Sequence, residues 1–218
     1  MQSPSDYILE DFSIISAKLS SPLSITGLIG ELAIFESLAL PYLTGKVLIR
    51  DDARLYDGLE INGTETCRIS LKCSMENSKT ITKYFNFHSV ASTTKTSDTV
   101  EILSLQLIET NAFNNSAISV NKSYKGTPDA IIKKILADHL FIDNDDTTKS
   151  ISGIAGPAVK PYQEPFKCII ANKTPFAACK WIMNKMTTSM GLPYYLYSTL
   201  NGDNLQLRSF EEMLTSKP

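Results

Sequence analysis

Thr66-Cys67-Arg68-Ile69-Ser70-Leu71-Lys72-Cys73-Ser74-Met75 is the stretch whose reading decides the fold. Cys67, Ile69, Leu71, Cys73 and Met75 fall on one side, and Arg68, Ser70, Lys72 and Ser74 on the other. Successive side chains of an extended chain point to opposite faces, so this alternation reads as a strand with one buried and one wet face. Shorter runs of the same kind lie at Leu28–Phe35, Gly45–Arg50, Lys83–Val90 and Val100–Glu109. Turn-forming clusters separate them: Asp51-Asp52, Asn62-Gly63, Glu76-Asn77-Ser78-Lys79 and Ser92–Asp98. Five or six strands with no amphipathic helix among them predict an antiparallel sandwich or barrel over residues 1–115.

Past Asn111–Ser116, a polar break, the pattern changes and a second domain is expected over residues 116–218. Thr127-Pro128-Asp129 opens a helix over about 128–140: Thr127 is placed to cap, Pro128 presets φ, and Asp129 complements the positive helix end. Ile131, Ile132, Ile135, Leu136, His139 and Leu140 form its apolar stripe. Thr174-Pro175 opens a second helix, expected over about 175–190 through Phe176, Cys179, Ile182, Met183 and Met186. A hairpin follows at about 194–210, Tyr194–Leu200 and Leu205–Phe210 about the turn Asn201-Gly202-Asp203-Asn204. Ser150–Pro165, with three prolines, reads as an extended connector. The expected class is α+β and β-rich: a barrel-like domain, then a smaller one with two helices and a hairpin.

Composition narrows the function classes. The 218 residues are 43% hydrophobic and 20% charged, which allows a packed core and excludes disordered, collagen-like and disulfide-stapled chains. No apolar run approaches the roughly 18 residues of a membrane helix, and Met1–Asp6 lacks the pattern of a secretory signal. A net charge of −2 argues against a general nucleic-acid binder. Residues 1–115 nevertheless carry 9 basic against 14 acidic side chains, whereas residues 116–218 carry 12 against 9, so two differently charged surfaces are expected.

Catalytic patterns fail in turn. Gly153-Ile154-Ala155-Gly156-Pro157 lacks the Lys and Ser/Thr of a phosphate loop. Asp143-Asn144-Asp145-Asp146 suggests calcium, but the loop places Thr148 and Ile154 where Gly and Glu are needed. His139 sits on an apolar stripe, which suits a hydrogen-bonded core or boundary histidine, and His88 has no acidic or Cys neighbour. Pairing Cys168 with His139 as nucleophile and base would require tertiary folding. Asp51-Asp52 and Glu211-Glu212 are adjacent pairs that point apart. Tyr194, Tyr195 and Tyr197 read as strand packing, with no basic patch for bases to stack against. Cys67, Cys73, Cys168 and Cys179 follow no metal spacing and read as small core hydrophobes. The sequons at Asn62, Asn114, Asn121 and Asn172 mean little without a secretory signal. No catalytic, cofactor-binding or metal-binding residue is predicted.

A resemblance goes further. Leu32-Ala33-Ile34-Phe35-Glu36-Ser37-Leu38, then Thr44-Gly45-Lys46-Val47-Leu48-Ile49-Arg50-Asp51, then Asp52, Leu55, Leu59, Ile61, Gly63 and Glu65 lead into the alternating strand. This pattern resembles the first domain of the baseplate hub proteins of contractile-tailed (T-even-type) bacteriophages, which are related to type VI secretion spike proteins. Glu101–Glu109 resembles the strand closing their first tube domain, and Val120-Asn121-Lys122-Ser123-Tyr124 the start of their second. Phe166–Met186 resembles the later segment in which a helix precedes a Tyr-rich hairpin. The resemblance implies a non-enzymatic virion protein, a homotrimeric ring joining the tail tube to the central spike. It implies contacts with the tube, spike and baseplate wedge proteins, DNA only in passage through the lumen, no membrane insertion, and assembly in the host cytoplasm. The family pairs two barrels per subunit, whereas one is visible here. Asp51, Asp52, Asp57 and Glu60 are then candidate lumen or ring-face charges that would repel passing phosphates. The alternatives are a tail-associated cell-wall hydrolase and a β-rich module that binds a spike or host partner through an edge strand.

Overall fold

The computed structural model describes residues 7–52, 54, 58–59, 61–73, 79–96, 100–140, 153–202 and 204–215. They divide into two compact units, residues 7–35 and 43–110 in the first and residues 36–42, 111–140 and 153–215 in the second.

The first unit is one curled antiparallel sheet, a half-barrel. Its strands are β1 (Tyr7–Ile15), β2 (Leu23–Ser24), β3 (Ile29–Phe35), β4 (Thr44–Asp51), β5 (Thr66–Cys73), β6 (Ile81–Lys95) and β7 (Glu101–Glu109), in the spatial order β2-β1-β5-β6-β7-β4-β3. The decisive stretch is β5, and its alternation is the burial pattern: Cys67, Ile69 and Leu71 are buried, with Arg68 and Ser70 half-exposed between them. Met75 and Ser74 lie outside the described residues. Register carries the apolar face across the sheet. Ile14 opposes Cys67, Cys67 opposes Phe85, Phe87 opposes Leu107, and Leu105 opposes Val47, all of them buried. A Cβ on Gly45, the second residue of β4, would stand 3.0 Å from the Ala33 carbonyl oxygen and 3.4 Å from the Leu107 Cβ, so glycine lets β3 and β7 approach it without a shift of either.

Three details differ from the sequence expectation. β1 is a full strand that alternation did not indicate. A bulge between Leu9 and Asp11 inserts one residue, so the core-facing apolar positions run Leu9, Phe12, Ile14 and lose their even spacing. β6 runs through Ser92–Lys95, where a turn was expected, because Thr and Ser suit an extended chain once β7 is there to pair with it. Asp51 is the last residue of β4 rather than part of a turn, and it is buried.

The second unit is α+β. It contains α1 (Thr110–Ala117, with Thr110 in the first unit), β8 (Val120–Gly126), α2 (Pro128–His139), β9 (Gly153–Ala155), β10 (Phe166–Lys173), α3 (Pro175–Met183), β11 (Tyr194–Tyr197), β12 (Asn204–Ser209) and α4 (Phe210–Thr215). β8 pairs with β10, and β12 lies between antiparallel β11 and parallel β9. The polar break expected at Asn111–Ser116 is helical: α1 buries Asn111 and Ala112, and tertiary burial overrides a weak local propensity. α3 stops at Met183, short of the expected 190. β-branched Thr187 and Thr188 follow, and Thr187 is drawn into bonds with the Gln163 amide at 2.7 and 3.0 Å. The connector before Pro165 is partly paired, as β9.

Both threonines open their helices, yet neither hydroxyl caps. The Phe176 N–H at the start of α3 donates instead to Asn115 Oδ1 at 2.8 Å, a cap supplied from α1. Thr174→Ala should therefore leave stability within about 0.5 kcal/mol, whereas Asn115→Ala should cost about 1 kcal/mol in urea unfolding. In α2, Thr127 bonds the Asp129 carboxylate. Burial pushes that carboxyl up, but bonds from Thr127, Lys160 and the Ala130 N–H more than offset this and hold it below 3.8. A carboxyl depressed by folding contributes stability that is fully present above its unfolded pKa of about 3.9 and is lost as pH falls through the folded value. Asp129→Asn should thus lower the urea midpoint at neutral pH and flatten its fall below about pH 4.

Candidate functional site

The sequence-derived candidates do not converge. His88 is exposed at a bulge in β6. His139, half-buried at the end of α2, shares a hydrogen bond of 3.1 Å between its Nε2 and the Tyr124 hydroxyl, as expected of a boundary histidine. Cys168 opposes Tyr124 across β8–β10, so tertiary folding brings Cys168 and His139 to the same phenol. Burial raises the Cys168 thiol, however, which disfavours the thiolate that a nucleophile needs. Cys67 and Cys179 are fully buried, and burial pushes both thiols up, aided at Cys67 by the Glu65 carboxylate. Cys73 and Cys168 are half-buried, a correction to the reading of all four as core. Among the described residues, no group of three or more His, Cys, Asp or Glu side chains could hold a metal ion. The Asp143–Asp146 run lies outside the described residues.

Tyr194 is half of a structural pair. Its hydroxyl donates to the Val159 carbonyl at 3.0 Å, and burial, with Glu212, Asp129 and Glu211 nearby, pushes it up to about 12. Sequence reading takes the neighbouring Glu212 only as one of an adjacent carboxylate pair and misses its role, whose signal is Ser209-Phe210-Glu211-Glu212, the S-x-x-E spacing of a capping box. The Ser209 N–H donates to Glu212 Oε2 at 2.8 Å and the Glu212 N–H to Ser209 Oγ at 3.2 Å. The other carboxylate oxygen accepts from the Ala158 N–H and, at 2.8 Å, from the Val159 N–H.

What the first unit does offer is edge. Among the described residues β3 has no strand on its outer side. It presents Glu31 and Phe35 to solvent, Phe35 at 54% exposure, with Leu32, Ala33 and Ile34 half-buried. β2 pairs with only Ser13 and Ile14 of β1, and Phe12 is closed off by bonds to Thr26 Oγ1 and from the Ile25 N–H, both 2.8 Å, so among the described residues the edge is open from Tyr7 to Asp11, with Tyr7 and Ile8 exposed there. β5 reaches β6 only as far as Asn86, so among the described residues His88–Lys95 has all eight side chains exposed and β7 on one side only. Open backbone edges of this length template pairing with another chain. The turn that feeds β5 is rigid: Glu65 Oε2 accepts from the Asn62 and Gly63 N–H groups at 3.1 and 3.0 Å, and Gly63 takes a φ of 93° that favours glycine.

The expected charged wall is altered. Asp51 is 4% exposed, on the same face of β4 as buried Val47 and Ile49, while Asp52 is exposed. Asp57 and Glu60 lie outside the described residues. In the second unit, residues 38–42 with α3 and β11 line a groove of about 480 Å³, floored where Tyr42 stacks on Phe176 at 6.0 Å.

No protein-family model matches the sequence, and neither does any curated protein. Among solved structures, the tail protein from Neisseria meningitidis MC58 matches 92% of this chain and 50% of its own, with 17% identity and a TM-score of 0.50. A 43 kDa tail protein of prophage MuSo2 from Shewanella oneidensis matches 91% of this chain and 54% of its own, with 13% identity and a TM-score of 0.49. A Francisella PdpA-VgrG complex matches 93% of this chain and 28% of its own, with 11% identity and a TM-score of 0.44. The likeness is one of fold: this chain, which spans about half the length of the Neisseria protein, has a tail-protein fold.

Proposed function

We propose that this chain is a structural protein of a phage-type tail, a baseplate hub subunit that works by assembling into a homotrimeric ring between the tail tube and the central spike. The observation that carries this reading is the fold shared with the Neisseria tail protein over 92% of the chain. The open edges of β3, β1 and β6 support it, because unpaired N–H and C=O groups on a subunit's sheet find partners on the next. In this reading residues 1–115 are the tube-like domain and residues 116–218 the accessory α+β domain. The partners are further copies, the tube, spike and wedge proteins, with DNA only passing through the lumen. The place of action is the virion, after assembly in the host cytoplasm, and the chemistry is assembly rather than catalysis.

Light scattering on the purified chain tests this. A trimer is expected, and Phe35→Lys, at an exposed edge position, should leave a folded monomer. His88→Ala, His139→Gln and Cys168→Ser should all still form rings. A stable monomer that cleaves peptidoglycan would sink the reading in favour of a cell-wall hydrolase.

A further inference from the structure

We infer that the groove between residues 38–42 and α3 takes the α4 helix of a second copy of this chain, an inference that rests on the self-assembly proposed above. The groove is open at its rim, where Leu38 is 50% exposed and Ala177 and Lys180 are exposed with it. Its walls are apolar, with Tyr42, Phe176, Met183 and Tyr195 among them. Lys180 is the one charged side chain in the described lining, and it makes no ion pair among the described residues. An apolar slot with a single cation at its rim selects an apolar segment that carries an acid.

α4 is such a segment. Phe210 and Leu214 are exposed, Leu214 at 68%, and stand one turn apart on the same side of the helix. That spacing is how an amphipathic helix anchors itself in an apolar groove. Among the described residues no other helix exposes two large apolar side chains. Glu211 stands beside Phe210, and one of its carboxylate oxygens is shut from water with no hydrogen-bond partner among the described residues. A carboxylate that water reaches on one side only gains from a cation brought up by a neighbour.

α4 does not fold into the groove of its own copy. Glu212 accepts from the Ala158, Val159 and Ser209 N–H groups and fixes the helix where the Phe210 ring meets that of Tyr195, 6.4 Å between centroids. The same anchoring orders the helix beforehand, so little freedom is lost when it docks. Because Tyr195 lines the groove, donor helix and acceptor groove lie side by side. Copies around one axis then each give α4 to the next and receive it from the one before, a heterologous contact that generates a ring when the rotation closes.

Cross-linking of the full chain tests this. Leu214→Cys and Ala177→Cys are made in separate chains, and since both positions are exposed each should keep the wild-type melting curve. Oxidising an equal mixture should join the two variants covalently, and either variant alone should give far less product. In light scattering, Leu214→Asp should raise the association Kd roughly a hundredfold. Lys180→Glu should raise it roughly tenfold, and adding Glu211→Lys should restore it by exchanging the two signs. If Leu214→Asp associates like wild type and the mixed cysteines stay unlinked, this inference fails while the hub reading stands. A wild-type chain that stays monomeric overturns both. Uptake of dodecanoate by that monomer, lost in Lys180→Glu, overturns the second copy as the occupant in favour of an apolar acid.

Discussion

Ile69→Lys should prevent the first unit from folding, and Ile69→Asp should be the milder of the two. Ile69 is 1% exposed at the centre of β5, opposite Phe12 on one side and Lys83 on the other. Lys83 is itself 1% exposed and on the same face. A second ammonium there is buried directly opposite the first, so desolvation and repulsion add, to a cost of roughly 5 kcal/mol or more, comparable with the whole stability of many domains. An aspartate suffers the desolvation but meets an opposite charge. Circular dichroism melts of both variants decide the matter. Equal losses would mean that β5 and β6 do not pair in the register that sets Ile69 against Lys83, and a wild-type melt for either would mean the strand is inside out.

Glu212→Ala has the second-largest expected effect. Its carboxylate accepts the N–H groups of Ala158, Val159 and Ser209 and so ties α4 to the segment after β9. Hydrogen bonds to a charged acceptor contribute about 1.5–3 kcal/mol each, and the side chain is largely buried, so removing it should cost roughly 3 kcal/mol after water reaches the vacated donors. Glu212→Gln, which keeps one accepting oxygen, should lose about half as much, and Ser209→Ala about 1 kcal/mol through the capping box alone. Urea unfolding measures all three. Indistinguishable midpoints for Glu212→Ala and wild type would show that water serves these donors as well as the carboxylate does.

The strands that sequence alone located were those whose alternation is uninterrupted. Cys67, Ile69 and Leu71 keep strict period because β5 is central and half-wet, and Ile131, Ile132, Ile135 and Leu136 keep helical period because α2 buries one side. Where geometry inserts a residue, as in the bulge beside Glu10, the pattern dissolves and β1 is invisible. Where a partner far along the chain supplies the missing bond, local chemistry misleads: Thr174 looks like a cap, but Asn115 performs the task. The open edges follow from which strand pairs with which, a property of the assembled sheet that no single segment contains.

The pairing of β1 with β5 has a consequence for how the protein is made. Tyr7 pairs with Cys73 and Thr44 with Ile108, so both joins span more than sixty residues. High contact order of this kind slows folding into the range of milliseconds to seconds. At roughly 5–20 residues per second of synthesis, β1 waits several seconds for β5 to emerge, and β4 as long for β7. Since β7 is the last of the seven strands in the chain and lies between β6 and β4, the sheet has no partially paired form that already presents both halves in their final order. The open edges of the completed sheet come into existence only on a finished subunit; if copies join through them as proposed, the slow topology itself keeps nascent chains from assembling too early.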